Sequence, residues 1–306
     1  MLRRTILAAA RSGRTRRLIT NAPVSRSVVR RFVAGSSVDD AVRVTRQLID
    51  AGLRVSLDHL GEDTTEEAQA KTATAAYLEL LARLRRAGLT GTAELSVKLS
   101  AIGLLLDQSM AAENARVICE AADRAGTTVT IDMEDSGTTD ATLAIVGDLR
   151  ESFPSVGLVL QAYLRRTEAD CREFACAGSR VRLCKGAYKE PESVAFQDKL
   201  DVDRSYVRSL NVLMAGSGYP MFATHDPRLI AIAGERAKWY DRSPGTYEYQ
   251  MLYGVRPEEQ RRLTTEGETV RVYVPYGDQW YAYLMRRLAE RPANVAFFVR
   301  SLVSKG

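Results

Sequence analysis

From about residue 37 onward, two periods of apolar and polar residues take turns along the chain. Short runs alternate at every second position, as in Leu53-Arg-Val-Ser-Leu-Asp-His-Leu-Gly61, and read as strands. Longer runs repeat apolar positions every three to four residues and read as helices. The strand runs are 53–61, 93–99, 127–133, 156–162, 180–185, 220–224, 247–252 and 270–274. Helical runs at 65–87, 109–125, 140–153, 167–177, 201–215, 227–240 and 257–266 separate them, and 283–290 follows the last. A further helix, capped by Asp39 or Asp40, runs to Ala51 before the first strand. Gly88 and Gly126 stand where helices stop.

Eight strand-then-helix units, spaced by roughly thirty residues, predict an α/β fold: a (β/α)8 TIM-type barrel of about 250 residues with an N-terminal helical extension. The expected division is a basic helical arm over 1–45 and a barrel over 46–306. An open doubly wound sheet is the alternative. No Gly-x-Gly-x-x-Gly follows the first strand, so a dinucleotide-binding form of that sheet has no fingerprint to support it.

Composition changes this picture little, and charge changes it in one place. Hydrophobic residues make up 45% and charged residues 26%, ordinary for a soluble globular chain. No run of eighteen apolar residues suggests a membrane span. Four cysteines without metal-ligand spacing point to free thiols in a reducing, cytoplasmic setting. Two histidines, His59 and His225, exclude a site built mainly from histidine. Residues 1–38 hold nine arginines and no acid, so the rest of the chain carries −4 against an overall +5. Such an arm suits anionic lipid or nucleic acid, mimics a mitochondrial transit peptide, or is a solvated helical extension.

In a barrel of this kind, chemistry gathers at the C-terminal ends of the strands. Those ends supply Asp58 and His59, Lys98, Asp132 and Glu134, Gln161 and Tyr163, then Arg182, Lys185 and Tyr188. Later strands add Thr224, His225 and Asp226, Glu248 and Gln250, and Tyr273 and Tyr276. On the helix that follows, Tyr283, Arg286, Arg287 and Glu290 share one face. Two adjacent guanidinium groups call for an anion; Glu290 holds one and leaves the other for a ligand. Lys98, Arg286 and Arg287 together suit a small carboxylate, with Tyr273, Tyr283 and Leu183 as an apolar wall. That describes a pocket for an amino acid. Gln161, Arg182, Lys185, Gly186, Ala187, Thr224 and His225 cluster on strands four to six. There Gly186-Ala187 lets a planar or phosphorylated group approach the backbone.

Seven segments carry a family resemblance in order: Glu94-Leu-Ser-Val-Lys-Leu-Ser100, Ile131-Asp-Met-Glu134, Leu160-Gln-Ala-Tyr163, Val181-Arg-Leu-Cys-Lys-Gly-Ala-Tyr188, Ala223-Thr-His-Asp226, Val272-Tyr-Val-Pro-Tyr-Gly277 and Tyr283-x-x-Arg-Arg-x-x-Glu290. Together they resemble proline dehydrogenase of the monofunctional bacterial type. Bifunctional relatives carry Trp where this chain has Lys189, in keeping with the monofunctional branch. The resemblance implies an FAD-binding barrel that oxidises L-proline to Δ1-pyrroline-5-carboxylate and passes electrons to a quinone. It further implies peripheral contact with the inner face of the membrane and no nucleic-acid partner.

By similarity, Lys98, Arg286 and Arg287 hold the proline carboxylate, Glu290 steadies the arginines, and Tyr273 and Tyr283 wall the ring. Tyr273 also opposes a 4-hydroxyl. Asp132, Arg182 and Tyr188 are the expected catalytic residues. Met133, Gln161, Arg182, Lys185, Gly186, Ala187, Tyr188, Thr224 and His225 are expected at the cofactor. The group that takes the substrate's proton stays open between water and a tyrosine such as Tyr188. Two rival readings remain: a Schiff-base enzyme using Lys98 or Lys185, and a membrane- or nucleic-acid-binding protein acting through its arm.

Overall fold

Each strand of this protein turns one set of side chains toward the helices and the other into the middle of a closed barrel. The computed structural model describes residues 29, 31–61, 64–281 and 283–285. In chain order the elements are α1 (Val38–Asp50), β1 (Arg54–His59), α2 (Glu67–Arg86), β2 (Ala93–Lys98), α3 (Gln108–Arg124), β3 (Val129–Asp132), α4 (Thr139–Ser152) and β4 (Gly157–Gln161). They continue with α5 (Thr167–Phe174), β5 (Arg180–Cys184), α6 (Lys199–Ala215), β6 (Tyr219–Ala223), α7 (Pro227–Trp239), β7 (Glu248–Leu252), α8 (Pro257–Thr265) and β8 (Val270–Tyr276). The eight strands pair in parallel in sequence order, and β8 closes the barrel on β1, with Ser56 opposite Tyr273 and Asp58 opposite Pro275. This is the (β/α)8 barrel expected from the alternation.

The outward side chains are apolar. Val55, Leu57, Leu95, Val97, Val129, Ile131, Val181, Leu183, Phe222, Val270, Val272 and Val274 all belong to the main core, under the helices. Burying each stabilises the fold by about 1.5–3 kcal/mol relative to exposure. The inward side chains are largely polar, which is unusual for a barrel interior. They include Ser56, Asp58, Glu94, Ser96, Lys98, Asp132, Arg182, Gln250, Arg271 and Tyr273, linked to one another across the barrel. Leu183, expected in the pocket wall, therefore points the other way: it alternates with Arg182 and packs in the core with no exposure.

Several boundaries differ from those read in the sequence. Ser37, not Asp39 or Asp40, caps α1; its hydroxyl accepts the Asp40 N–H and Asp40 closes a capping box. The expected start of a barrel domain at residue 46 falls inside α1, which buries Ala41, Val44 and Thr45 against the barrel. β3 loses Thr127 and Thr128, whose hydroxyls donate to the Ala93 and Ser155 carbonyls rather than extending the strand. α6 starts two residues early because Asp198 caps it by accepting the Leu200 N–H at 2.7 Å.

A second, smaller cluster joins the two ends of the described chain. Val29, Phe32 and Val33 pack with Leu60, Tyr281, Tyr283, Leu284 and Met285. The Ala34 N–H donates to the Pro275 carbonyl at the end of β8. At Gly254 a Cβ would lie 1.7 Å from the Arg31 carbonyl, so only glycine lets this segment seat. Residues 280–281 and 283–285 are helical, the beginning of the expected last helix. Arg286, Arg287, Glu290 and the arginines before residue 29 lie outside the described residues. No described helix is long and apolar enough to cross a membrane.

Candidate active site

At the C-terminal end of the barrel the polar interior opens into a cavity of about 330 Å³, within the usual range for small-ligand sites. One side is charged. Lys98 Nζ, at the end of β2, donates to Asp58 Oδ2 at 2.7 Å and to the Tyr273 hydroxyl at 3.2 Å. Asp132, paired with Lys98 in the β2–β3 register, holds the centre. Its Oδ1 accepts from Ser96 Oγ and from an Arg182 terminal nitrogen, both at 2.7 Å. Its Oδ2 accepts the Tyr273 hydroxyl at 2.8 Å and lies 3.6 Å from Lys98 Nζ.

Arg182 rises from the middle of β5 and is fixed from four other strands. Its Nε donates to Gln250 Oε1 at 2.5 Å, and its terminal nitrogens donate to Ser56, Ser96 and Asp132. Small serines on β1 and β2 leave the width that a guanidinium needs. Burial, reinforced by the Asp132 and Asp58 charges, pushes the Tyr273 phenol well above its ordinary range, so it acts as a hydrogen-bond donor at neutral pH. Burial is also the largest influence on the Asp58 carboxyl and pushes it up, with Lys98 opposing and Asp132 adding to the rise.

The other side of the cavity comes from β4 to β7 and is apolar between polar points. Met133, Val159, Ala223, Met251 and Leu252 line it. Gln161 lines it too, its amide donating to the Glu134 carbonyl at 2.6 Å. Lys185 reaches Asp203 at 2.5 Å and Asp226 at 3.1 Å, and Arg228 bonds the same two carboxylates. Hydrogen bonds from Arg228, then Lys185, outweigh burial and hold the Asp226 carboxyl far below the usual range. His225 Nε2 accepts the Leu252 N–H at 2.9 Å, which puts the proton of the neutral ring on Nδ1.

The Gly186-Ala187-Tyr188 segment closes this side. Gly186 has φ +98°, and a Cβ there would meet the Tyr163 ring at 2.1 Å. Glu190 fastens the segment by accepting the Ser136 N–H at 2.8 Å and its hydroxyl at 2.6 Å.

The structure thus brings Lys98, Asp132, Met133, Gln161, Arg182, Lys185, Gly186, Ala187, Tyr188, His225, Tyr273 and Tyr283 into the lining of one cavity. Thr224 is not part of it; it falls between the lining residues Ala223 and His225, and its hydroxyl accepts the Asp226 N–H. Glu248 is not at the rim either. It opens β7 and sits at the opposite end of the barrel with Arg271. Tyr276 is buried against His59, edge to face at 5.2 Å, outside the cavity wall. Ser56, Ser96, Asp203 and Glu190 were not expected. For the serines a signal existed: Ser56 precedes Asp58, and Ser96 precedes Lys98, by two residues on the same strand face.

A sequence model of the family described as proline dehydrogenase matches residues 41–300. Proline dehydrogenase 1 of Bacillus subtilis (strain 168) is 38% identical over 276 residues, 90% of this chain and 91% of the relative. The proline dehydrogenase of Deinococcus radiodurans is 36% identical over 282 residues, 90% of each. Among solved structures, proline utilization A from Bdellovibrio bacteriovorus, inactivated by N-propargylglycine, superposes with a TM-score of 0.82 over 92% of this chain and 34% of that one. This chain spans about a third of that protein's length, and at 24% identity the likeness bears on the fold.

Proposed function

This chain belongs to the proline dehydrogenase family, and on that premise we propose that it is an FAD-dependent enzyme oxidising L-proline to Δ1-pyrroline-5-carboxylate, the first step of proline catabolism to glutamate. One observation within the cavity carries the reading. A charged wall sized for a small zwitterion, from Asp58 to Tyr273, faces an apolar wall studded with Arg182, Gln161, Lys185 and His225.

The second wall fits a flavin nucleotide. Apolar residues suit the faces of a planar ring, Gln161 and Arg182 offer donors to its edges, and Lys185 beside Arg228 suits an anionic phosphate tail. Gln161, Lys185, Gly186, Ala187, Tyr188 and His225 would hold it, with Met133 against the ring. Thr224 would act indirectly, through Asp226. When bound, the flavin supplies the two-electron acceptor that no side chain here provides. Arg182 places a fixed positive charge in a water-poor interior, where it stabilises developing negative charge.

Lys98 orients the substrate carboxylate, together with Arg286 and Arg287. Tyr273 and Tyr283 wall the ring and limit its approach to one pose. Asp132 holds Arg182 and Tyr273 in register. In this reading the electrons pass on to a quinone, and the basic residues 1–38 bring the enzyme to the inner face of a membrane. A Schiff-base lysine needs an uncharged amine, whereas Lys98 and Lys185 each lie within 4 Å of two carboxylates.

The purified protein is expected to be yellow, with a flavin spectrum that L-proline bleaches in the absence of air. A colourless protein trapped with its substrate by borohydride would overturn the reading.

A further inference from the structure

Asp58 differs from every other titratable group of the charged wall. It stands near the C-terminal end of β1, lines the cavity and is 1% exposed. Its Oδ2 accepts from Lys98 Nζ at 2.7 Å. Its Oδ1 is buried and accepts no hydrogen bond from any described residue. The neighbours are engaged. Asp132 has Ser96 and Arg182 on one oxygen and Tyr273 on the other. The single hydroxyl proton of Tyr273 goes to Asp132, and its oxygen takes a bond from Lys98. A buried carboxylate oxygen without a donor costs free energy until a donor or a proton reaches it.

Resting on the reading of this chain as a dehydrogenase of proline, we propose that Asp58 Oδ1 receives the proton that the substrate's ammonium nitrogen loses before its C–N bond is oxidised. A secondary ammonium has no lone pair to stabilise the developing iminium, so this proton leaves first. The N–H bond breaks, its electron pair stays on nitrogen, and an O–H bond forms at Oδ1. The two electrons of the oxidation go to the flavin-class acceptor of the same reading. Because the proton moves within the cavity, the net charge held there does not change, and a water-poor site tolerates the step.

The surroundings tune the acceptor. Burial lifts the Asp58 carboxyl, the Lys98 ammonium restrains the lift, and Asp132 adds to it. Facing Asp58 are Lys98 from β2, Asp132 from β3, Tyr273 and Tyr276 from β8, and Tyr77 from α2. All three tyrosines are lifted above their ordinary range by burial and stay neutral, so Lys98 and Asp132 set the charge around Asp58. A raised carboxyl is a better proton acceptor than an ordinary one. Activity that needs ionised Asp58 falls as pH drops through this raised value.

The test is Asp58→Asn in the full-length holoenzyme, followed by kcat/KM for L-proline across pH. The expected result is a loss of roughly 10²–10⁴-fold at neutral pH, disappearance of the acid limb, and retained affinity for a five-membered-ring carboxylate lacking the amine. A variant within threefold of wild type that keeps the acid limb overturns the proposal. Infrared difference spectra of the wild type, its flavin reduced beforehand, give a second test that needs no variant. L-Proline is expected to raise a protonated-carboxyl C=O band that the amine-free analogue does not; no such band overturns the proposal. A wild-type protein that L-proline fails to bleach overturns the functional reading and this one together, whereas a bleached wild type with an unaffected Asp58→Asn overturns the proton assignment alone.

Discussion

The barrel interior holds two charged clusters, one at each end, and they are built differently. At the N-terminal end, Glu94 and Glu248 face Arg180 and Arg271. Arg271 grips both oxygens of Glu248 at 2.7 and 3.1 Å, Arg180 binds Glu94 at 2.6 Å, and Tyr219 and Thr130 complete the set. Each carboxylate there is bonded by more than one donor. At the C-terminal end, Asp58, Lys98, Asp132 and Arg182 border the cavity, and one carboxylate oxygen lacks a described donor. The two ends meet through Gln250, which accepts from Arg182 and donates to Glu248 at 2.5 Å. The lower cluster plugs a barrel that lacks the usual aliphatic filling. The upper one keeps capacity for a ligand. Saturation separates a structural ion network from a functional one more clearly than burial does, since both are buried.

The largest effect expected from this difference is on the lower cluster. Glu248→Ala leaves Arg271 and the Gln250 amide without their main partner in a fully buried setting. Stability is expected to fall by about 3–5 kcal/mol, read as a lower urea midpoint at an unchanged slope, while the folded fraction keeps its Michaelis constant for L-proline. A stable variant with a raised Michaelis constant would reverse the roles of the two ends.

The lower cluster also sets acid sensitivity. Burial pushes the Glu94 carboxyl up, but Arg180, Arg271 and Arg182 outweigh it and bring it down to about 2, from an ordinary value of 4.5. A carboxyl whose value is lower in the folded state contributes its full stability above the unfolded value and loses it as pH falls through the folded one. The Glu94 contribution is therefore complete above about pH 4.5 and fades toward pH 2. Glu94→Gln is expected to be less stable than wild type at pH 7, with the gap narrowing at pH 3. A gap independent of pH would mean that Glu94 acts through shape rather than charge.

How much of this was legible in the sequence follows from what alternation encodes. Period-two runs placed every strand, and strand ends gave Lys98 and Asp132, with Arg182 grouped among them although it sits in the middle of β5. The same runs put Glu94 and Ser96 on the face of Lys98, and Ser56 on that of Asp58, so an inner polar column was written there too. Reading only strand ends hid it, and made Glu248 a rim residue although it opens its strand. Leu183 was misplaced for the same reason: nearness to a strand end was weighed above which way the pleat turns. Thr224 differs. Its hydroxyl supports Asp226 in a local turn, a backbone detail that no residue pattern specifies. Asp203 could not be found from the sequence, because a residue on α6 meets Lys185 only once the helix is laid on the sheet.

The smallest effect expected on stability is also the sharpest probe of the contrast. Tyr273 belongs to the upper cluster, where its hydroxyl donates to Asp132 and accepts from Lys98. Tyr273→Phe keeps the ring, and with it the wall beneath Lys98 and Arg182. It removes one donor from Asp132 Oδ2, which Lys98, 3.6 Å away, is placed to replace by a short movement. Folding should therefore lose only about 1 kcal/mol. That movement draws Lys98 from the position in which it meets both Asp58 and a substrate carboxylate, so kcat/KM for L-proline should fall by roughly tenfold, or about 1.4 kcal/mol of transition-state stabilisation. Urea denaturation and steady-state kinetics on the same preparation give both numbers. A Tyr273→Phe enzyme destabilised as much as Glu248→Ala, yet fully active when folded, would show that the upper cluster is a structural plug like the lower one.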